Sequence, residues 1–281
     1  MKKLRNKNQT YDAWLHWDVT KRCNLDCEYC FGKITDTSIK VHSIKTTELF
    51  STLDATNKIF RISFTGGEPT LVPNFIEACK EITQKHYVSF NSNLISKSIK
   101  QFAEEINPDR VLHIHASFHY DELLDKNLLQ RFVQNYNFLR NAGFNIYAEV
   151  VAYPKFKNKL ETIKEFAKAN FIDLTFAPFY GNCNGQTYPE SYSQEDLELF
   201  GINQNEISCF TQKGEPCNAG YNVAVVFSNG SVYPCHQIKT KIGNIYEGIE
   251  FSNELVKCPS KKCGCPLNKY DEYLFENCDL N

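Results

Sequence analysis

The sequence lacks an excess of charge of one sign, a long apolar run and an apolar segment behind its basic start. Its 281 residues carry 31 Lys and Arg against 33 Asp and Glu, which argues against a general nucleic-acid binder. No run approaches the roughly 20 apolar residues of a membrane helix. Residues 1–10 are basic, but no apolar segment follows, so they do not form a secretory signal. We therefore expect a cytoplasmic protein with neither a membrane nor a nucleic acid as its partner.

Disulfides are also not expected, although the chain has 12 cysteines. In a reducing compartment, cysteines are more often metal ligands or catalytic groups than disulfide partners. The cysteines are clustered: three lie near the start, seven follow position 208, and only Cys79 and Cys183 lie between. Cys79 has the setting of a buried helical thiol. The clustering favours two metal-binding regions over a disulfide scaffold.

Six β-rich segments alternate with helical segments over the first 180 residues. Strands are predicted at 13–20, 58–65, 87–91, 110–118, 144–152 and 171–179, and helices at 44–56, 74–84, 96–106, 121–141 and 158–169. This alternation predicts parallel strands with right-handed crossovers. Six units are too few to close an eight-unit barrel. We therefore expect an α/β fold, with a partial (β/α)6 TIM-type barrel at 1–200 and a small cysteine-rich C-terminal extension at 201–281.

Three cysteines, Cys23, Cys27 and Cys30, follow the first predicted strand within eight residues. Thiolates bind iron–sulfur clusters, and a cubane takes four ligands, so three protein thiolates leave one iron open. A zinc knuckle or a set of buried thiols is the alternative. Zinc would need a fourth ligand close by, and His42 is the nearest later histidine.

The segment Gly66-Gly67-Glu68-Pro69 ends the second predicted strand, about 36 residues after Cys30. Its glycines permit positive φ and a close backbone approach, and Glu68 offers an acceptor for an ammonium group. Taken alone, the segment is better explained as a plain strand-ending turn. Ligands bind at the carboxyl ends of parallel strands, and this segment and the cysteine loop both lie at that edge.

The two motifs, in this order and spacing, resemble those of the radical S-adenosylmethionine (SAM) superfamily, whose fold is also a partial barrel. The resemblance implies that Cys23, Cys27 and Cys30 bind a [4Fe-4S] cluster whose open iron is chelated by SAM. It implies a reducing electron donor, such as flavodoxin or ferredoxin, and cleavage of SAM to a 5′-deoxyadenosyl radical that abstracts a substrate hydrogen atom. The SAM contacts that the resemblance implies are Tyr29, Phe31, Gly66, Gly67, Glu68, Pro69, Asn93 and Ser117.

Candidates for substrate-side chemistry lie near later strand ends. His113, His115 and His119 alternate in sequence and are predicted to share a strand face. They could supply an acid or base on the substrate side. Alternatively, only one of them is functional and the others are solvated or hydrogen-bonded within the protein. His119 also departs from the Asp that relatives often have at its position. Glu149 lies mid-strand, where a carboxylate needs an ion-pair partner or a ligand. Cys183 follows the sixth predicted strand, either against substrate or as an ordinary loop cysteine. The catalytic candidates are therefore His119, Glu149 and Cys183.

A predicted hairpin with an Asn229-Gly230 turn brings Cys217 and Cys235 to the same end. The spacing of Cys217, twelve residues, Gly230, four residues and Cys235 resembles the SPASM and twitch extensions of radical SAM enzymes. The resemblance implies one auxiliary [4Fe-4S] cluster, since the tail has fewer cysteines than a full SPASM domain. Its predicted ligands are Cys217, Cys235, Cys263 and Cys265, with Cys209, Cys258 and Cys278 as alternatives. Zinc bound by the same residues remains the other interpretation.

The resemblance leaves the substrate open. Relatives with such extensions modify peptides by crosslinking, epimerisation or oxidation, and others act on small molecules such as sugars as dehydrogenases or epimerases. About a dozen residues precede the first predicted strand, too few for an N-terminal peptide-recognition domain. We expect peptide or protein modification, with small-molecule chemistry as the alternative and a non-catalytic iron–sulfur or zinc protein as a third hypothesis.

Overall fold

The structure is a computed structural model that describes residues 11–30, 32, 39–207 and 213–260. Its strands are β1 Ala13–Thr20, β2 Phe60–Gly66, β3 Tyr87–Ser92, β4 Val111–Ser117, β5 Ile146–Val151, β6 Leu174–Ala177, β7 Gly181–Cys183, β8 Gln186–Tyr188, β9 Pro216–Cys217, β10 Val223–Val226, β11 Ser231–Tyr233, β12 Gly243–Asn244, β13 Gly248–Ile249 and β14 Val256–Lys257. Its helices are α1 Thr46–Ala55, α2 Phe75–Ile82, α3 Ile99–Glu105, α4 Tyr120–Asp125, α5 Leu129–Asn141, α6 Leu160–Ala169, α7 Gln194–Phe200 and α8 Gln204–Ile207. None of the described helices has the length and apolarity to cross a membrane.

Strands β1 to β6 lie side by side in sequence order, and each neighbouring pair is parallel. Helices occupy the connections between them, as right-handed crossovers require. The predicted open α/β partial barrel is therefore confirmed. Because all six strands run the same way, their carboxyl ends meet at one edge of the sheet.

The hydrophobic core lies between the sheet and the helices. In β1, Leu15 and Trp17 are buried in this core, and they alternate with His16 and Asp18, which are only partly buried. Aromatic rings continue the core between strands and helices, as in the ring pair of Phe90 and Phe102 at 5.0 Å. Because side chains alternate along a strand, the apolar ones face the helices and the more polar ones face the concave interior of the barrel.

One predicted helix, 121–141, is two helices in the structure, α4 and α5. The break lies at Asn127, whose φ of 55° is left-handed. The N–H of Asn127 donates to Leu124 and that of Leu128 to Leu123, which satisfies the last carbonyls of α4. Asparagine tolerates this conformation better than most residues do. The sequence predicted one helix because the apolar periodicity continues on both sides of Asn127.

The predicted hairpin consists of β10 and β11, and it belongs to the same sheet as the barrel. β10 pairs parallel with β1, with Trp14 opposite Val223 and Trp17 opposite Val226. Strands β11, β12 and β13 then extend the sheet by antiparallel pairing. The boundary between 200 and 201 stays a prediction.

Candidate active site

The cysteine loop and the segment after β2 are joined by main-chain hydrogen bonds. The N–H of Gly67 donates to the carbonyl of Thr20 at 2.7 Å, and that of Glu68 donates to Arg22 at 2.9 Å. The cysteine loop, which follows β1, therefore begins in contact with the carboxyl end of the neighbouring strand β2.

Both glycines of this segment are required by the packing. A Cβ at Gly66 would lie 2.2 Å from the carbonyl oxygen of Thr20, and φ at Gly66 is +120°. A Cβ at Gly67 would lie 2.2 Å from the carbonyl oxygen of Arg22. Because these neighbours are backbone atoms, a side chain at either position would force the two segments apart.

Glu68 is 1% exposed, and its carboxylate holds three segments together. Oε1 accepts from the N–H and hydroxyl of Thr70 and from the hydroxyl of Ser92, at 3.1, 2.6 and 2.9 Å. Oε2 accepts from the N–H of Asn93 at 2.8 Å. Burial raises the pKa of Glu68, while these hydrogen bonds act in the opposite direction. Oε2 has one protein donor and therefore retains capacity for a second donor, such as an ammonium group.

The loop that carries Cys23, Cys27 and Cys30 is fixed from two sides. The N–H of Asp26 donates to Glu122 of α4 at 3.2 Å, and the amide of Asn93 donates to Asn24 at 2.7 Å. The N–H of Cys30 closes a turn onto the carbonyl of Cys27 at 3.0 Å. The three cysteine positions thus depend on contacts from β3 and α4 as well as on the loop itself.

A cavity of about 510 Å³ lies between this loop and the strand ends. Of the predicted site residues, it is lined by Cys23, Cys27, Tyr29, Cys30, Gly66, Gly67, Glu68, Asn93, Ser117 and His119. Pro69 lies behind the wall as the first residue of a buried 3-10 turn. Phe31 lies outside the described residues.

The donors in this cavity fit an iron–sulfur cluster with one open iron. Cys27 is buried, Cys23 is half-buried and Cys30 is exposed. Burial raises the pKa of Cys23 and Cys27, so these thiols need a bound metal to stabilise the thiolate. In the described part of the chain, no three His, Cys, Asp or Glu side chains converge on a single metal ion. A cubane places its thiolates on separate irons, and three thiols that line one cavity without converging on a single point are compatible with that.

Ser117 and His119 also line this cavity. Ser117 ends β4, and His119 follows two residues later, outside the strand that holds His113 and His115. The hydroxyl of Tyr29 lies 3.1 Å from Nδ1 of His119. Burial lowers the pKa of His119 to about 4, so its imidazole is neutral near pH 7.

Glu149 and Cys183 do not line this cavity. Glu149 lies opposite Ser117 in the register of β4 and β5, and its Oε1 lies 3.1 Å from Nε2 of His115. Cys183 ends β7 and is 5% exposed. Glu149 and Cys183 remain predicted catalytic candidates. Either of them could contact a substrate only if the substrate extends beyond the cavity.

Three of the later cysteines lie in the described residues and are near one another in the fold. Cys217 and Cys235 both pack in a small apolar cluster that includes Trp14. Cys217 lies on β9, which pairs with β14, and the N–H of Cys258 donates to Glu215 at 2.9 Å. The remaining candidates, Cys209, Cys263, Cys265 and Cys278, lie outside the described residues.

The sequence analysis missed a polar group on the concave face. Arg61 and Ser63 of β2 and Ser89 of β3 point into the barrel and contact one another. The signal was present in the sequence, because Arg61 and Ser63 alternate with Phe60, Ile62 and Phe64.

The sequence profile of the radical SAM superfamily matches residues 17–175 of this chain, from β1 to β6. The chain belongs to the radical SAM superfamily, and the predicted resemblance is confirmed.

Solved structures share the fold at low sequence identity. The chain is similar to anSMEcpe with bound AdoMet, with a TM-score of 0.60 and 18% identity over 83% of this chain and 77% of that chain. It is similar to anSMEcpe with bound AdoMet and Cp18Cys peptide, with a TM-score of 0.58 and 18% identity over 83% and 77%. It is also similar to Streptococcus suis SuiB bound to the precursor peptide SuiA, with a TM-score of 0.57 and 18% identity over 84% of this chain and 63% of that chain.

Proposed function

We propose that this protein is an enzyme that binds SAM and an open [4Fe-4S] cluster in the cavity at the carboxyl ends of β1 to β4. The observation that carries the proposal is that Cys23, Cys27 and Cys30 line the same cavity as Gly66, Gly67 and Glu68. When bound, the cluster would supply the electron that cleaves SAM into methionine and a 5′-deoxyadenosyl radical, which abstracts a hydrogen atom from the substrate.

The residues of the chain have separate tasks in this proposal. The three thiolates would hold the cluster and leave one iron open for SAM. The free capacity of Glu68 Oε2 would accept an N–H of the SAM amino group, while Oε1 fixes the turn at Thr70. Asn93 braces the cysteine loop through Asn24. Ser117 and the neutral His119 line the wall where the adenosine and the substrate meet, and Tyr29 and Val151 help to exclude water.

The proposed substrate is a peptide or protein. Its support is that the structures with similar folds include anSMEcpe with a bound Cp18Cys peptide and SuiB with a bound precursor peptide. The net change would be a crosslink, an epimerisation or an oxidation. We further propose an auxiliary [4Fe-4S] cluster on Cys217 and Cys235, completed by cysteines of the C-terminal region, and a reducing protein as electron donor.

Anaerobic reconstitution with iron, sulfide, dithionite and SAM tests the proposal. The wild-type chain should release 5′-deoxyadenosine, and Cys27→Ala should abolish the release. The matched control is Cys79→Ala, because Cys79 is buried in α2 and lies in the apolar core away from the cavity. Release by Cys27→Ala, or none by the wild type with a full iron content, would refute the proposed function.

A further inference from the structure

A second cavity, of about 600 Å³, also reaches the cysteine loop. It shares Cys23 and Leu25 with the 510 Å³ cavity of the proposed active site. Of the three cysteines in the loop, only Cys23 lines both cavities, and it is half-buried. The other residues that line the second cavity are Arg22, Asn24, Asp26, Lys40, Val41, Leu71, Pro73 and Lys126.

Positive charge is in excess around this second cavity. Its lining holds three cations, Arg22, Lys40 and Lys126, against one anion, Asp26, although the net charge of the whole chain is −2. Arg22 and Lys40 are exposed, and neither forms an ion pair within the described residues. Nζ of Lys126 lies 3.1 Å from Glu122, which offsets part of its charge. A cavity of this sign attracts an acidic partner.

The second cavity is a separate approach to a predicted cluster ligand. The proposed function needs an electron from outside the chain, and SAM and the substrate would together occupy the 510 Å³ cavity. Gly66, Gly67 and Glu68 line only that first cavity, so the second one lies outside the proposed SAM contacts that they make. A donor at the second cavity would therefore reach Cys23 while SAM and the substrate stay bound.

From these observations we infer that the second cavity is the docking site of an acidic protein that delivers one electron to the cluster beside Cys23. In this step the reduced donor loses one electron and the cluster gains it, and no covalent bond forms or breaks. Since the inference places the electron donor of the proposed function, it rests on that function.

The composition of the second cavity suits a protein that binds briefly. Complexes that transfer electrons are among the smallest, with less than about 1,200 Å² buried, and complementary charge increases their association rate more than their affinity. The apolar side chains of Leu25, Val41 and Leu71 line the cavity together with the exposed cations. Apolar contacts with charged groups around them are the usual arrangement of a protein interface.

Cluster reduction by purified flavodoxin, an acidic protein that donates single electrons, tests this inference. Reconstituted enzyme is mixed anaerobically with reduced flavodoxin at low ionic strength, and freeze-quench EPR follows the reduced cluster. The signal that changes on addition of SAM identifies the cluster with the open iron. Reduction of the double variant Lys40→Gln, Lys126→Gln should be about fivefold slower than that of the wild type, and high salt should remove most of the difference.

The matched control is the double variant Lys164→Gln, Lys168→Gln. It removes the same two charges from α6, and neither residue lines either of the two cavities. Lys164 is paired with Glu161 at 3.3 Å, as Lys126 is with Glu122, and Lys168 is exposed and forms no ion pair within the described residues, as is true of Lys40. The control should keep a rate close to that of the wild type.

Reduced methyl viologen, a small cation, gives the opposite expectation. It should reduce the Lys40→Gln, Lys126→Gln variant at least as fast as the wild type, because the charges that were removed repelled it. The inference would be overturned by equal flavodoxin rates in the wild type and this variant, by an equal loss in the control, or by the same loss with viologen. Weaker flavodoxin binding in calorimetry without slower reduction would assign the cations to another acidic partner, and would overturn it as well.

The 5′-deoxyadenosine assay with dithionite separates the two proposals, because dithionite needs no docking site. Release of 5′-deoxyadenosine by the wild type and by the Lys40→Gln, Lys126→Gln variant, without charge-dependent reduction by flavodoxin, would retain the proposed function and refute the docking site. Charge-dependent reduction by flavodoxin without release of 5′-deoxyadenosine would retain the docking site and refute the proposed function.

Discussion

The hydroxyl of Tyr29 lies 3.1 Å from Nδ1 of His119, and this contact joins the cysteine loop to the segment after β4. Since burial lowers the pKa of His119 to about 4, Nδ1 of the neutral ring can accept the hydroxyl proton. The Tyr29 ring also packs against Tyr153 and Phe156, with centroids 5.3 and 5.4 Å away. Tyr29 therefore fixes one end of the loop by a polar contact and by apolar ones.

Tyr29→Phe removes the polar contact and keeps the apolar ones. The variant leaves a partly buried acceptor without its donor, so we expect the free energy of unfolding to fall by about 1–2 kcal/mol. Urea unfolding measures this change, and ¹⁵N spectra of His119 should show an altered tautomer balance. Tyr120→Phe is the control, because the Tyr120 hydroxyl makes no hydrogen bond within the described residues while its ring packs on Phe118. Equal effects of both variants would contradict the role of the Tyr29 hydroxyl.

Gly67→Ala tests the close approach between the segment after β2 and the cysteine loop. The new Cβ would lie 2.2 Å from the carbonyl oxygen of Arg22, so the loop must move. We expect a lower melting temperature and loss of most iron after reconstitution. In the control Gly185→Ala the new Cβ meets nothing within 4 Å, so that variant should lose only about 1–2 kcal/mol through its positive φ. Normal iron content in Gly67→Ala would show that the approach is not needed.

Glu68→Gln tests the carboxylate that joins β2, β3 and the turn at Thr70. A glutamine amide nitrogen cannot accept a hydrogen bond, so one of the donors that face Glu68 loses its partner. We expect a loss of about 1–3 kcal/mol in the free energy of unfolding, together with weaker SAM binding by equilibrium dialysis. Glu77→Gln, an exposed change in α2, should alter neither quantity appreciably. Unchanged SAM binding in Glu68→Gln would separate the residue from the proposed site.

The barrel could be predicted from sequence because its signals are local. Each of the six strands is a short β-rich run, and Gly66 and Gly143 interrupt the pattern where a strand or a helix ends. Parallel order then follows from the alternation of strands and helices. The cysteine loop and the segment after β2 were placed together for the same reason, since parallel strands bring their carboxyl ends to one edge.

The missed features depend on contacts between distant parts of the chain. The pairing of Trp14 with Val223 joins residues more than 200 positions apart, and neither strand carries a sequence signal for the other. The neighbours of Arg61 are likewise set by strand register, which brings Ser89 and His113 to its side. Alternation alone shows that Arg61 points away from the apolar core, but not that its partners among the described residues are hydroxyls, an imidazole and an indole ring.

Cys217→Ala and Cys235→Ala test the proposed auxiliary cluster. Both thiols lie in the small cluster around Trp14, and neither lines the cavity. The reconstituted wild type should hold about eight irons per chain, and each variant about four. Cys183→Ala should keep about eight irons, because Cys183 lies apart from both groups on β7. Zinc in place of iron, or full iron content in both variants, would contradict the auxiliary cluster.

The stability of the protein should fall in mild acid because of buried histidines. Burial lowers the pKa of His16, His86 and His119 to about 4, against 6.5 for the unfolded chain. Between these values the unfolded state binds more protons than the folded state, so unfolding becomes more favourable as pH falls through this window. Each such histidine contributes a slope of up to about 1.4 kcal/mol per pH unit. Urea unfolding at pH 7, 6, 5 and 4.5 measures the total loss.

His86 allows one share of this loss to be isolated. It is 0% exposed, and its Nδ1 accepts from the N–H of Phe60 at 3.2 Å, which a protonated ring cannot do. His86→Gln keeps an acceptor that does not titrate, so the loss between pH 6.5 and 4.5 should shrink by the share of one histidine. His42→Gln, at an exposed position, should leave the pH dependence as it is in the wild type. An unaltered slope in His86→Gln would mean that His86 takes up its proton at the same pH in the folded and unfolded states, because linkage then vanishes.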